Sequence, residues 1–453
     1  MKKTLVTNVR IVTRKGIFPR DILIDGDRIV KIAGTITPRG KMGIIDGQGS
    51  YVFPGLIDDQ DHFREPGLTE KATILSESRA AVAGGVTSFI EQPNTKPPTL
   101  TMELLEEKIA IARRTSFANF GFNLGASNDN YNELARAVEQ DRKLFAGIKV
   151  FMGSSTGNML VDNREVLEKI FGLDKLIITH CEDEETIRNN LASYKEKYGD
   201  DIPMKFHPAI RNAKACFKSS SLAVELAKKH NTRLHLYHIS TADEIKLLDN
   251  TTPLLKKRIT AEVCLHHLWF TSKDYELLGS KIKWNPAVKD VKHRNALHQA
   301  LKEGYFDVIA TDHAPHTKEE KALPYTSCPS GAPLVQHMLY MLFEMYLNDL
   351  ITLEEIAEKA AYNPAVVFGI EGRGEIAEGN FADLVFLKGG QYYREWTVSP
   401  ENILYKCGWS PLEGQKFRSE IQMTMVNGVI VYENTEKYGI QFQNGAAQRL
   451  IFN

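Results

Sequence analysis

The side chains of this chain that could hold a metal ion stand at or near the ends of short apolar segments. They are His62, Lys149, His180, His238 and Asp312. Neutral imidazole and carboxylate are natural ligands of Zn²⁺ and similar divalent cations, and a catalytic metal site keeps one coordination position open for water. A single histidine at such a place is usually structural, but three histidines and one aspartate at matching places indicate a catalytic metal centre.

Lys149 does not fit this set as an ammonium, because a buried positive charge beside metal cations is costly. Desolvation and like charge should lower the pKa of Lys149 and favour the neutral amine. A neutral amine can take up CO₂, and the resulting carbamate is an anionic ligand whose two oxygens can bridge two metal ions. The alternative interpretation is a lysine whose ammonium reaches solvent at the rim of the fold.

The elements that would bring these side chains together are parallel strands. In a (β/α)₈ barrel the active site lies at the C-terminal ends of the strands, where the loops converge above a packed interior. His62 and Asp312 are about 250 residues apart, the length of a typical eight-stranded barrel. Lys149 and His180 are roughly one βα unit apart. The positions therefore assign the five candidate ligands to strands 1, 4, 5, 6 and 8.

The order of strand-like, helical and turn patterns along the whole chain supports this assignment. In its centre, apolar segments alternate with helical patterns at residues 101–114, 219–230 and 295–303, as is typical of βα units. Both ends show short strand patterns separated by turns such as Asp25-Gly26 and Asn427-Gly428. We therefore predict an α/β fold, a (β/α)₈ TIM-like barrel with a small β-sandwich domain formed from both termini. The predicted boundaries are 54–370 for the barrel and 1–53 and 371–453 for the two parts of the β-sandwich.

The composition narrows the class of function. The chain has 453 residues, 43% of them apolar and 25% charged, which excludes a disordered, collagen-like or coiled-coil protein. Its 56 Lys and Arg residues nearly balance its 57 Asp and Glu residues, so no global field would attract nucleic acid or anionic lipid. A small-molecule substrate is the default expectation.

Sequence features also predict the cellular compartment of the protein. The apolar runs are far shorter than the roughly 20 residues needed to span a bilayer. The N-terminal segment becomes polar too early for a secretory leader. The five cysteines are widely spaced and form no CxxC pair, which argues against a disulfide framework or a structural zinc knuckle. We therefore expect a cytoplasmic protein.

Several short motifs follow one another in the centre of the chain. They are Pro54-Gly-Leu-Ile-Asp58, His62-Phe-Arg-Glu-Pro-Gly67, Gln92-Pro-Asn-Thr95, His238-Ile-Ser-Thr-Ala242, Thr260-Ala-Glu-Val-Cys-Leu-His-His267, Trp284-Asn-Pro286 and Ile309-Ala-Thr-Asp-His-Ala-Pro-His316. In this order they resemble the motifs of the dihydroorotase family. The resemblance covers about residues 50 to 370, and residues 371–383 are similar to the return into the small β-domain that is common in the amidohydrolase superfamily.

The resemblance implies a hydrolase of cyclic amides that interconverts N-carbamoyl-L-aspartate and L-dihydroorotate in pyrimidine biosynthesis. It implies one or two divalent cations, Zn²⁺ in the first place, and it permits a homo-oligomer. The implied metal ligands are His62, Lys149 in carboxylated form, His180, His238 and Asp312. Asp312 would also transfer the proton of the reaction. The implied substrate-binding residues are Arg64, Asn94, Asn285 and His316.

The residues themselves support these four substrate-binding assignments less strongly. Arg64 follows His62 at a spacing of two, so it could face the same side and grip an anion, or form a surface salt bridge with a neighbouring glutamate. Asn94 and Asn285 would otherwise be interpreted as turn residues. His316 lies in a loop where a solvent-exposed histidine is the alternative. The loop at residues 325–331 could close over a substrate.

Three other histidines give less information about the function. His235 lies within a predicted strand, and we interpret it as a core residue. His266 and His267 could line the pocket or form a packed structural pair.

Gln60 is a departure from the family pattern that matters for the metal site. The family usually has His-x-His at the end of the first strand, and Gln60 stands in place of the first histidine. Because an amide oxygen is a poorer Zn²⁺ ligand than imidazole, the metal that depends on strand 1 should be bound more weakly or by other ligands. Asp58 or Asp61 could assist.

Two other functions remain open at this point. The first is hydrolysis of another cyclic ureide, as in hydantoinases and allantoinases, although Arg64 favours a substrate with a free carboxylate. The second is a non-catalytic dihydroorotase-like subunit that supports another enzyme of the pyrimidine pathway.

Overall fold

The structure is a computed structural model that describes residues 3–153, 159–435 and 437–453. The N-terminal strands are β1 (Lys3–Thr13), β2 (Gly16–Asp25), β3 (Arg28–Ala33), β4 (Gly43–Asp46) and β5 (Tyr51–Pro54). The central strands are β6 (Leu56–Asp61), β7 (Val86–Glu91), β8 (Asn119–Phe122), β9 (Leu124–Gly125), β10 (Ile148–Phe151), β11 (Ile177–His180), β12 (Leu234–Leu236), β13 (Ile259–Cys264) and β14 (Val308–Ala310). The C-terminal strands are β15 (Leu384–Gly389), β16 (Trp396–Thr397), β17 (Lys416–Phe417), β18 (Ser419–Val426), β19 (Val429–Thr435) and β20 (Gly439–Phe442).

The α-helices lie mainly between the central strands. They are α1 (Ile74–Ala83), α2 (Met102–Thr115), α3 (Tyr131–Asp141), α4 (Arg164–Phe171), α5 (Glu184–Tyr198), α6 (His207–Ile210), α7 (Ala213–His230), α8 (Leu265–Trp269), α9 (Tyr275–Leu278), α10 (Val291–Lys302), α11 (Lys318–Lys321), α12 (Met338–Leu347), α13 (Leu353–Ala357) and α14 (Asn363–Phe368). Among the described residues, no helix combines the length and the apolar character needed to cross a membrane.

The central strands follow the order of a (β/α)₈ barrel. Strands β6, β7 and β8 form one parallel sheet, and β9 to β14 form another in chain order. Strands β8 and β9 are separated only by Asn123, so together they serve as the third of eight strands. At the junction between β14 and β6 the described residues show an isolated bridge from Asp61 to His313 instead of a continuous ladder. The α/β fold class predicted from the sequence is thus confirmed, although hydrogen bonding does not close the barrel continuously.

The first barrel strand has an unusual composition for its position. All six residues of β6 are buried, yet the last four are Asp58, Asp59, Gln60 and Asp61. Burying a carboxylate is costly unless a partner compensates for its lost hydration. The polar residues that surround this strand are therefore expected to define the chemistry of the barrel.

Strands from both ends of the chain join in one nine-stranded sheet. Its order is β20-β19-β18-β15-β5-β1-β2-β3, with β4 paired to β1. The two ends meet where β5 pairs antiparallel with β15. The turn between β18 and β19 is Asn427-Gly428, and both residues have positive φ angles, 50° and 78°. The expected β-structure from both termini is confirmed, while the domain boundaries after residues 53 and 370 stay a prediction.

The helices begin where side chains can cap them. Thr101 accepts a hydrogen bond from the amide of Leu104 at the start of α2, close to the predicted position. Helix α7 begins six residues earlier than the sequence pattern indicated, because Asn212 accepts from the amide of Ala215 at 3.0 Å. Asp290 caps α10 in the same way. The hydrophobic pattern finds the buried face of a helix, whereas the cap determines its first residue.

A buried ion pair ties the terminal sheet to the barrel. The Arg373 guanidinium contacts the Asp383 carboxylate, and both side chains are almost fully buried. Asp383 also accepts from the backbone amide of Asn427 at 2.7 Å and from the side-chain amide of Asn119 at 3.3 Å. Asn119 belongs to β8, so this one carboxylate connects both parts of the molecule.

We predict that Asp383→Ala lowers the free energy of unfolding by about 3 to 5 kcal/mol, because it leaves the Arg373 charge buried without its partner. Chemical denaturation measures the change. The control is Glu395→Ala, which removes an exposed pair with Lys416 and should cost less than about 1 kcal/mol. Equal losses in the two variants would contradict the prediction.

Candidate active site

A cavity of about 300 Å³ opens at the C-terminal ends of the barrel strands. The residues that line it are Gln60, His62, Arg64, Asn94, Lys149, Phe151, His180, Arg211, His238, Trp284, Asn285, Asp312, Ala314, Pro329, Ser330 and Gly331. All five candidate metal ligands are among them, as are three of the four candidate substrate-binding residues. The structure therefore brings together side chains that are up to about 250 residues apart, as expected for a barrel.

His62 follows β6, and both of its ring nitrogens contact a neighbouring side chain. Its Nδ1 lies 2.8 Å from Asn94 Oδ1, and its Nε2 lies 3.3 Å from Asp312 Oδ1. The Asn94 oxygen can only accept, so Nδ1 carries the proton and Nε2 presents its lone pair toward Asp312. Burial lowers the pKa of His62 well below its usual value, so the ring is neutral. A neutral, oriented imidazole is the form that binds a metal ion.

His180 and His238 face each other across neighbouring strands. His180 Nδ1 lies 2.9 Å from His238 Nε2, and burial lowers the pKa of both rings. The other nitrogen of His180 lies 3.2 Å from Glu182, which also contacts Arg211. Although burial alone would raise it, Arg211 and His180 hold the pKa of Glu182 down to about 2. Glu182 is thus an anion that lies beside His180 Nε2, and the sequence analysis did not single it out.

Lys149 lies inside the barrel and does not reach solvent at the rim. Its side chain is buried, and its Nζ lies 3.8 Å from the centre of the Tyr237 ring and 5.1 Å from that of Phe151. Burial lowers the pKa of Lys149 to about 7. A substantial fraction of the amine is therefore uncharged near neutral pH, which is the form that can react with CO₂.

Asp312 follows β14 and completes the ring of candidate ligands. It is buried, and burial raises the pKa of its carboxyl to about 8. Its φ angle is 48°, and Arg64 and His238 also have positive φ angles, 67° and 39°. Such conformations cost roughly 1 to 3 kcal/mol for residues other than glycine and cluster at functional sites. Three of them around one cavity indicate that side-chain placement has been favoured over backbone relaxation.

Arg64 presents a buried positive charge to the cavity. Only 2% of this residue is exposed, so it is not part of a surface salt bridge. Its Nε donates to the carbonyl of Pro315 at 3.1 Å, and its Nη2 lies 3.1 Å from His316 Nε2. His316 is itself buried and contacts Lys71. His316 therefore contacts Arg64 and can position its guanidinium group. It is not among the residues that line the cavity.

The two asparagines differ in their contacts. Asn94 uses its side-chain oxygen on His62, whereas the Asn285 side-chain oxygen is buried without a hydrogen-bond partner among the described residues. Both line the cavity, so both could contact a bound molecule. Their role in substrate binding stays a prediction.

Gln60 lines the cavity, but its two candidate helpers do not. Asp58 accepts hydrogen bonds from the backbone and the side chain of Thr311. Asp61 is buried and is not among the described residues that line the cavity. Neither carboxylate therefore takes the place of the missing imidazole.

The histidines left open by the sequence are packed residues. His266 stacks on Trp284 with ring centres 4.2 Å apart, and His267 Nε2 lies 3.1 Å from the carbonyl of Pro286. Neither lines the cavity. His235 is buried as expected, but it lies beside two carboxylates, Asp59 and Glu262, in a group that could hold a metal ion.

The sequence predicted only part of one cavity wall, namely the loop at residues 325–331. Within the loop 325–331, Pro329, Ser330 and Gly331 line the cavity. Lys321 Nζ donates to the carbonyls of Pro329 and Gly331, both at 2.9 Å. Lys283 Nζ donates to the carbonyl of Tyr325 at 2.7 Å. No pattern in the sequence marks lysines whose partners are backbone carbonyls.

Comparisons with known proteins agree with this geometry. Residues 51–431 match the Amidohydrolase family. The dihydroorotase of Halobacterium salinarum is 34% identical over 418 residues, which cover 91% of this chain and 93% of that protein. The dihydroorotase of Carboxydothermus hydrogenoformans is 32% identical over 442 residues, which cover 96% and 98%.

Solved structures show the same fold. The L-hydantoinase (dihydropyrimidinase) from Arthrobacter aurescens has a TM-score of 0.90 and 25% identity, and the likeness covers 100% of both chains. The dihydropyrimidinase from Brevibacillus agri has a TM-score of 0.86 at 23% identity and covers 99% of this chain and 98% of its own.

We predict that Gly331→Ala destabilises the cavity wall. A Cβ at this position would lie 2.5 Å from the carbonyl oxygen of Ala314, and φ is 128°. The control Gly414→Ala shares a positive φ but meets no atom within 4 Å. We expect Gly331→Ala to lose about 1 to 3 kcal/mol more unfolding free energy than the control, measured by denaturant titration. A smaller loss than the control would disprove the close contact.

Proposed function

We propose that this chain, which belongs to the amidohydrolase family, is a dihydroorotase that interconverts N-carbamoyl-L-aspartate and L-dihydroorotate. The observation that carries the proposal is the meeting of one buried arginine and five candidate metal ligands in a single cavity. A hydrolase of cyclic amides needs both a means of activating a carbonyl and a means of orienting the ring.

Arg64 supplies the orientation. Both proposed substrates carry a carboxylate that is remote from the reacting carbonyl, and a guanidinium binds a carboxylate through a fixed pair of donors. Pro315 and His316 hold Arg64 in one direction before a substrate arrives. Binding energy at the carboxylate is thereby converted into orientation at the reacting bond. Asn94 and Asn285 line the same cavity and are proposed as further contacts.

The donor set fits a divalent cation. His62, His180 and His238 are neutral imidazoles, and Asp312 adds a carboxylate, which together suit Zn²⁺. We propose that one or two Zn²⁺ ions are held by these four residues and by Lys149 as a carbamate, with Gln60 as a weak ligand at most. When bound, the cation supplies a Lewis acid that polarises the substrate carbonyl and lowers the pKa of water.

Asp312 is the residue to which we assign proton transfer. Its carboxyl lies at the cavity wall, 3.3 Å from His62 Nε2. It would take the proton of the attacking water and return it to the departing ring nitrogen. The Pro329–Gly331 wall and Trp284 would limit the access of bulk water to this exchange.

The second candidate function is hydantoin or dihydropyrimidine hydrolysis, which the likeness to the Arthrobacter aurescens enzyme favours. A third is a non-catalytic subunit. Turnover of purified protein with dihydroorotate, hydantoin and allantoin, together with its metal content, separates the three. Turnover of hydantoin but not of dihydroorotate would overturn the main proposal, and no turnover with full metal would support the subunit. We also propose a cytoplasmic location, and a homo-oligomer is compatible with the proposal.

We predict that Arg64→Met lowers kcat/KM for dihydroorotate roughly 100-fold, because the substrate carboxylate loses a buried cation. If the wild type turns over hydantoin, which has no carboxylate, that activity should change far less. Steady-state kinetics on both substrates measure the effect, with the exposed Arg136→Met as the control. Equal losses of kcat/KM on both substrates would show that Arg64 does not recognise the substrate carboxylate.

We predict that Lys149→Ala loses metal and activity together, and that acetate partly restores both by filling the gap left by the carbamate. Elemental analysis and turnover provide the two readouts. The matched control is Lys175→Ala, which removes a buried lysine outside the cavity whose pKa is likewise lowered to about 7. Retention of the full metal content by Lys149→Ala would disprove the role of the lysine as a ligand.

A further inference from the structure

Three ionisable side chains meet inside the barrel, one layer below the cavity. Asp59 lies on β6, His235 on β12 and Glu262 on β13, and none of them is exposed to solvent. One ligand atom from each lies within 4.8 Å of the others. His235 Nε2 is 3.2 Å from Asp59 Oδ2 and 4.0 Å from Glu262 Oε2. We call these three residues the barrel-floor cluster.

The atoms that point into the cluster have no hydrogen-bond partner among the described residues. These atoms are Asp59 Oδ1 and Oδ2, Glu262 Oε2 and His235 Nε2. Buried polar atoms almost always have partners, and an unpaired buried carboxylate is especially costly. The contact between His235 Nε2 and Asp59 is close, but it lacks the geometry of a hydrogen bond. A simple imidazolium–carboxylate pair therefore does not account for the arrangement.

The atoms that point away from the cluster are held in place. The Thr260 hydroxyl donates to the carbonyl of Leu234 at 3.3 Å, so its oxygen accepts from His235 Nδ1, 2.8 Å away. The Nδ1 nitrogen therefore donates to Thr260, and Nε2 is directed toward the Asp59 carboxyl group. Glu262 Oε1 accepts from the backbone amide of His238 at 3.1 Å. Metal ligands show this pattern, with the far atom anchored and the near atom free.

The charges of the cluster point to the same occupant. Two acidic side chains and one imidazole meet in a buried interior, and a divalent cation is an occupant that would offset the charge of both carboxylates when they are ionised. Oxygen and nitrogen donors together suit Zn²⁺ or a similar first-row cation. Asp59 can contribute both oxygens, which brings the number of available donor atoms to four.

We infer that Asp59, His235 and Glu262 bind a divalent cation such as Zn²⁺ in the floor of the barrel, at a site separate from the cavity. The ion would join strands 1, 6 and 7, and Asp59 reaches the other two from across the barrel. Glu262 accepts a hydrogen bond from the His238 amide, so the ion would also help to fix the position of His238 in the cavity. The inference goes beyond the proposed function and does not depend on it.

Zinc titration of the purified chain, combined with crystals grown in Zn²⁺, tests this inference. Anomalous maps at the zinc edge should show a peak about 2.0 to 2.2 Å from the near atoms of the cluster. Asp59→Asn should contain one zinc equivalent per chain fewer than the wild type. The control Asp61→Asn changes a buried carboxylate on the same strand outside the cluster, and it should keep the wild-type zinc content.

The outcomes distinguish the two proposed metal sites. His180→Asn should lose zinc from the cavity and keep the peak in the barrel floor. A wild-type map with zinc in the cavity and no peak at the cluster would overturn the inference and leave the proposed function intact. An unchanged zinc content in folded Asp59→Asn would also overturn it. If Asp59→Asn does not fold, the wild-type map still decides.

Discussion

The constraint on which the rest of the structure depends is the burial of three carboxylates on a single strand, β6. The strand is buried, so a carboxylate on it needs a partner in the protein to offset its lost hydration. Asp58 finds it in Thr311, and that contact fastens the end of the eighth strand to the first. Asp59 faces His235 from across the barrel. These two contacts connect the first barrel strand to the end of the eighth strand and to the sixth strand.

The same low-polarity interior gives the cavity its chemistry. Burial keeps the three cavity histidines neutral and brings the pKa of Lys149 to about 7, so groups that would be charged in water become ligands or reactive amines. Burial raises the pKa of Asp312, whereas the positive charges of Lys149 and Arg64 lower it, so nearby cations favour the carboxylate form of this residue. Arg64 keeps its charge because a guanidinium loses its proton only at high pH. One physical effect thus assigns different roles to residues that share one cavity.

Much of this arrangement could be predicted from the sequence, because parallel strands carry polar residues at corresponding ends. His62, Lys149, His180, His238 and Asp312 were identifiable in this way, and the Asn427-Gly428 turn marked its hairpin. Residues that act through tertiary contacts could not be found. Glu182 and Arg211 resemble ordinary helix-flanking charges, and Lys321 binds backbone carbonyls that carry no sequence signal. His235 was correctly interpreted as buried, but periodicity reveals neither which strands lie opposite nor which carboxylates its ring meets.

The pairing of β5 with β15 has a consequence for biosynthesis. Residues 51–54 leave the ribosome long before residues 384–387, with which they form their antiparallel ladder. Until then β5 can pair with β1, but its other edge has no strand to bind. An open strand edge is a template for pairing with other chains. The nascent protein must therefore keep this edge covered, by the growing barrel or by a chaperone, until nearly the whole chain has been made.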